Sequence, residues 1–118
     1  MDLSAVYRIN TEALDQYNAN KTKVAEGSEI YGTVRHSVIS VGCTVGKGAL
    51  VEDSVVMPGV VIEPGAIVRH AILGENSRVS RNCVIGGAFA PDEKKAISVT
   101  SKGAVLEAGS VLLPGEML

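Results

Sequence analysis

Two histidines and an aspartate recur at one position of a seventeen-residue period: His36, Asp53 and His70. Such a trio suggests a zinc site, or a histidine acting as a general base. Zinc takes three or four ligands at about 2.0–2.1 Å. If each period is one turn of a stack of strands, successive turns lie about 4.8 Å apart, and the two histidines about 9.6 Å apart. That is too far for a shared ion, so the column reads as a solvent-exposed charge ladder on one corner. General-base catalysis would place a histidine in a groove, whereas both of these sit inside a regular repeat. One residue earlier, Arg35, Glu52 and Arg69 alternate in sign. They read as neighbours pairing on an exposed face, worth about 0.2–1 kcal/mol each. Cys43 and Cys83 sit among aliphatic residues and read as small buried hydrophobes. No catalytic residue and no metal ligand is assigned.

The elements that must position these residues are visible as a repeat. Val34–Leu50, Val51–Ile67 and Val68–Val84 align as three blocks of seventeen residues. Aliphatic columns run Val34/Val51/Val68, Val38/Val55/Ile72, Ile39/Val56/Leu73 and Val45/Ile62/Val79. Small residues fill Cys43/Val60/Ser77 and Ala49/Ala66/Cys83. Gly42/Gly59/Asn76 and Gly48/Gly65/Asn82 fall in register, and Gly and Asn enter the left-handed region most cheaply. Each block therefore reads as three short flats separated by tight corners. Stacked blocks make a three-sided prism of parallel strands, with the aliphatic columns expected as ladders inside it. Burying one Val or Ile stabilises by roughly 1.5–3 kcal/mol, so no block holds its shape alone.

The repeat extends from residue 24 to 118, about five coils, with a polar loop insertion over 88–96. Residues 1–23 do not repeat and read as a lead-in covering the open end of the prism. Thr11–Tyr17 within it suggests a short helix capped by Thr11. The fold class is all-β, a single-stranded parallel β-helix.

Composition agrees. The chain has 118 residues, 46% hydrophobic but 3% aromatic, with thirteen glycines. A core of thin aliphatic layers needs few aromatics. The net charge of −2 argues against nucleic acid as a partner. No run of eighteen apolar residues suggests a membrane span, and the start, Met1-Asp2-Leu3-Ser4, does not read as a signal peptide. Two cysteines are too few for a disulfide framework, so a cytoplasmic location is expected.

Two stretches carry a family resemblance. Glu29-Ile30-Tyr31-Gly32-Thr33-Val34-Arg35-His36-Ser37-Val38 resembles the opening of the β-helix domain in bacterial glucose-1-phosphate adenylyltransferases (ADP-glucose pyrophosphorylases). So does Glu52-Asp53-Ser54-Val55-Val56-Met57-Pro58-Gly59, followed by Ala71-Ile72-Leu73-Gly74-Glu75-Asn76. The resemblance covers about 24–118, and from it alone comes the left hand of the helix. It implies the C-terminal domain of either the catalytic subunit or its homologous partner subunit in glycogen synthesis. The parent reaction converts ATP and glucose 1-phosphate to ADP-glucose and pyrophosphate, with Mg²⁺ in a catalytic domain.

No Gly-rich nucleotide loop precedes residue 24, so the chain is expected to lack that nucleotidyltransferase domain and to need no cofactor of its own. The expected role is scaffold, regulation and oligomerisation, as a homo- or hetero-oligomer. The family's allosteric control by phosphorylated metabolites makes Arg69, Arg78 and Arg81 candidates for an anionic effector. Alternation turns Leu50, Ile67 and Val84 outward, and Val105 and Val111 are read as their equivalents in the last coil. This ladder is expected to dock the catalytic domain or another subunit. The alternatives are a stand-alone hexapeptide acyltransferase with a coenzyme A groove, and a purely structural cap.

Overall fold

The computed structural model describes residues 23–86 and 97–118. The helix expected within the lead-in and the loop expected over 88–96 lie outside the described residues. Among the described residues, fifteen short strands form three parallel sheets of five, the three walls of a prism. The first face stacks β1 (Lys23–Val24), β4 (Val38–Ile39), β7 (Val55–Val56), β10 (Ala71–Leu73) and β13 (Ser98–Thr100). The second stacks β2 (Glu29–Ile30), β5 (Thr44–Val45), β8 (Val61–Ile62), β11 (Arg78–Val79) and β14 (Val105–Leu106). The third stacks β3 (Thr33–Arg35), β6 (Leu50–Glu52), β9 (Ile67–Arg69), β12 (Val84–Ile85) and β15 (Val111–Leu112). Among the described residues there is no helix. This is the all-β prism expected from the repeat, consistent with a left-handed β-helix.

The register is the seventeen-residue period itself: Val34 pairs with Val51, Val51 with Val68 and Val68 with Ile85. Three turns between Val34 and Val84 are complete. They are flanked by a short turn, where Val24 pairs with Ile39, and by an interrupted one, where Ile72 pairs with Val99. The prism thus has five rungs per face but only three regular turns.

The expected corners are where the Gly/Asn columns put them. Gly42, Gly59 and Asn76 have φ of 68°, 74° and 58°, and Gly48, Gly65 and Asn82 have 75°, 78° and 57°. The third corner is made differently, by His36, Asp53 and His70 at φ of 45°, 49° and 46°. Histidine and aspartate, with asparagine, are the side-chain-bearing residues that tolerate this region best. At Gly86 (φ 83°) a Cβ would collide with the Arg69 carbonyl oxygen, so only glycine fits where the regular turns end.

The core is one column. Val51, Val68 and Ile85, Ile39, Val56 and Leu73, and Val45, Ile62 and Val79 are buried together with Cys43, Val60, Ala49, Ala66 and Cys83. One expected inner ladder is corrected. Val55 and Ile72 belong to a separate cluster from their neighbours Val56, Ala71 and Leu73. Adjacent strand residues point to opposite sides. With Ile39, Val56 and Leu73 inside, Val38, Val55 and Ile72 must face out.

Candidate functional site

The corner trio stacks as the period demands, but it is not solvent-exposed. Asp53 lies between the histidines: His36 Nδ1 is 2.7 Å from Asp53 Oδ1, and His70 Nε2 is 3.6 Å from Asp53 Oδ2. The side chains are 18%, 31% and 7% exposed for His36, Asp53 and His70. This corrects the expectation of an open ladder. His70 has a coil on each side: its N–H donates to Glu52 O at 3.2 Å, and its carbonyl accepts from Ser98 N at 3.1 Å.

A serine column beside this corner escaped the sequence reading. Ser37 Oγ donates to Arg35 O (2.8 Å) and accepts from Ser54 N (3.0 Å). Ser54 Oγ repeats the pattern one coil on, donating to Glu52 O (2.8 Å) and accepting from Ala71 N (3.2 Å). Both serines are fully buried. The signal was present as a small residue directly after each of His36, Asp53 and His70. The thiols act similarly: Cys43 Sγ lies 3.1 Å from Met57 O, Cys83 Sγ lies 3.0 Å from Glu107 O, and both cysteines are free and buried.

The charged columns resolve into pairs. Glu52 sits between Arg35 (3.6 Å) and Arg69 (Nε to Oε1, 3.3 Å) on the third face. Arg78, on the second face, donates through Nε to Glu63 Oε2 at 3.0 Å and through Nη2 to the same oxygen. The Arg81 backbone N–H donates to Glu63 Oε1 at 3.1 Å. The Arg78 hydrogen bond holds the Glu63 carboxyl below the usual glutamate range, outweighing partial desolvation that pushes the other way. Of the proposed anion-binding arginines, Arg78 and Arg81 thus come together around Glu63, while Arg69 lies on another wall. Tyr31 donates to Glu29 Oε2 at 3.2 Å, and the charge on Glu29 raises the phenol above its ordinary value. The depression that Tyr31 lines with Lys47, Val61 and Glu63 is shallow and mostly apolar.

The outward ladder on the third face is Leu50, Ile67, Val84 and Val111, paired in succession. The first three are partly exposed and Val111 is 59% exposed. Val105 is not part of it. It pairs with Arg78 on the second face, one hexad before Val111, which takes the third-face place beside Val84.

Among the described residues no group of three or more His, Cys, Asp or Glu is placed to hold a metal ion, and no helix is long and apolar enough to cross a membrane. The fold and these columns define a hexapeptide-repeat β-helix, in which side chains are tied rung to rung.

The family described as "GlmU-like, C-terminal hexapeptide" matches residues 7–106, and the chain belongs to it. Similar proteins include the glucose-1-phosphate adenylyltransferase of Corynebacterium jeikeium (strain K411), 48% identical over 75 residues. That match covers 64% of this chain and 18% of that protein. The glucose-1-phosphate adenylyltransferases of Bacillus thuringiensis (strain Al Hakam) and Bacillus anthracis are each 39% identical over 85 residues, covering 68% of this chain and 23% of each protein. The chain spans less than a quarter of the length of these relatives.

Proposed function

We propose that this chain serves as the β-helix scaffold of a glucose-1-phosphate adenylyltransferase, bracing a nucleotidyltransferase domain through its third face. The observation that carries this reading is the row Leu50, Ile67, Val84 and Val111, aliphatic on four successive rungs beyond Thr33 yet turned away from the core. A wall that only needed to be wetted would alternate apolar inside with polar outside. The similarity to glucose-1-phosphate adenylyltransferases supplies the occupant.

The chemistry, ATP plus glucose 1-phosphate to ADP-glucose plus pyrophosphate, belongs to that other domain. So does its Mg²⁺. Subunit contacts within a homo- or hetero-oligomer in the cytoplasm belong to the same proposal. Arg78 and Arg81 are its effector element: a phosphorylated metabolite would compete with Glu63 for the Arg78 guanidinium.

A chimera tests the reading. This chain replaces the matched 85-residue stretch of the Bacillus thuringiensis relative. The chimera should make ADP-glucose, and Ile67→Asp with Val84→Asp should remove most of that activity. A folded but inactive chimera, or one indifferent to the two aspartates, contradicts the proposal. Turnover of acetyl-CoA by the chain alone would favour an acyltransferase instead.

A further inference from the structure

The third wall carries two outward columns. Strands β3, β6 and β9 hold three residues each, with the middle one turned to the core, so the first and the third both face out. The first residues run Thr33, Leu50 and Ile67, and the third run Arg35, Glu52 and Arg69, in register from rung to rung. The charged column thus lies about 6.6 Å from the aliphatic one, along the same strands. One Glu52 carboxylate serves two guanidiniums: Oε2 is 3.6 Å from Arg35 Nη1, and Oε1 is 3.3 Å from Arg69 Nε. Two guanidiniums bring about ten N–H donors against about four acceptor positions, so donors are left over. One positive charge is left over as well, and it is most accessible at Arg35, whose side chain is 65% exposed. On the second wall the ratio is one to one, with Arg78 donating twice to Glu63.

We propose that the surface docking on the third wall presents a carboxylate to Arg35 and Arg69, beside an apolar strip that covers Leu50, Ile67, Val84 and Val111. This rests on the docking role proposed for that wall and adds the chemistry of the partner. The aliphatic row extends over four rungs, about 14 Å, which a protein surface covers and a small anion leaves bare. The leftover charge is one, matching a single carboxylate. A phosphate monoester carries about −1.5 to −2 and would meet the Glu52 carboxylate at close range. The charged pair also supplies what the aliphatic row lacks. Each rung of that row resembles the next, so apolar contact alone lets a partner slip by one rung. A carboxylate held through two parallel N–H bonds fixes the register.

Carbodiimide coupling in the chimera tests it. The reagent joins amines to carboxylates in contact. In the Arg35→Lys chimera, mass spectrometry should find a link from position 35 to an aspartate or glutamate of the nucleotidyltransferase domain. A link to Glu52 alone contradicts the proposal. If Ile67→Asp with Val84→Asp removes activity but no interdomain link forms, the docking role stands and the carboxylate is overturned. Indifference to the two aspartates overturns the docking role itself. A second measurement follows ADP-glucose formation against sodium chloride. Glu52→Gln releases both guanidiniums to the partner and should raise the salt concentration that halves activity by about twofold, while Arg35→Gln with Arg69→Gln should lower it by as much. No change or a fall with Glu52→Gln contradicts the proposal. Saturable protection against melting by inorganic phosphate, abolished by Arg35→Gln, would make the pair a small-anion site and overturns it too.

Discussion

Ser54 shows how little of this protein's polar chemistry is spent on solvent. Its hydroxyl closes one corner and accepts the Ala71 N–H of the next coil. Ser54→Ala leaves that buried N–H without its acceptor, so unfolding free energy should drop by about 1–3 kcal/mol in a denaturant titration. Asp53 does two separable things. It occupies a φ of 49° and stands between two histidines. Asp53→Gly relieves the backbone and loses the carboxylate, whereas Asp53→Ala loses both. The alanine variant should melt lower than the glycine variant, the reverse of the usual order within regular structure. Glu63 gives the pH dependence. Its folded pKa lies below the unfolded value, so its contribution is complete above about 4.3 and is lost as pH falls through that value towards the folded one. Glu63→Gln should flatten the acid limb of stability against pH below about 4.3, and only modestly, because Arg78 is 51% exposed.

At the scale of the strand, direction matters more than residue type. Leu73 and Ile67 are similar aliphatics, one fully buried in the column and one on an outer wall. Leu73→Ala should cost about 2–5 kcal/mol by opening a cavity. Ile67→Ala should cost well under that in the isolated chain, as equilibrium unfolding of both variants would show. The same distinction marks where the sequence could be read and where it could not. Val34 stands between the polar Thr33 and Arg35, and its column with Val51 and Val68, each followed by a charged residue, recurs every seventeen residues and fixed the register. Val38 and Ile39 are adjacent aliphatics, as are Val55 and Val56, and periodicity does not say which of each pair points in. Two corners were legible because Gly and Asn advertise a left-handed backbone. The third was not, because His36, Asp53 and His70 look like chemistry before they look like a turn. Val105 was misplaced because the insertion hides where the last coil regains its phase.

The whole molecule is a stack in which each coil is held mainly by its neighbours, so strain or loss at one rung is shared along the column. Each face repeats one pattern on successive rungs, which turns single residues into walls. On one wall Val55 and Ile72 are buried, one carries the Glu63 and Arg78 pairing, and one presents Leu50, Ile67, Val84 and Val111. The proposed bracing role rests on that third wall. The most direct test is a binding titration of this chain against the separately prepared nucleotidyltransferase portion of the Bacillus thuringiensis relative. The account predicts a complex that Ile67→Asp weakens at least tenfold while Val61→Asp, on the second wall, leaves it intact. Equal binding by both variants would contradict it.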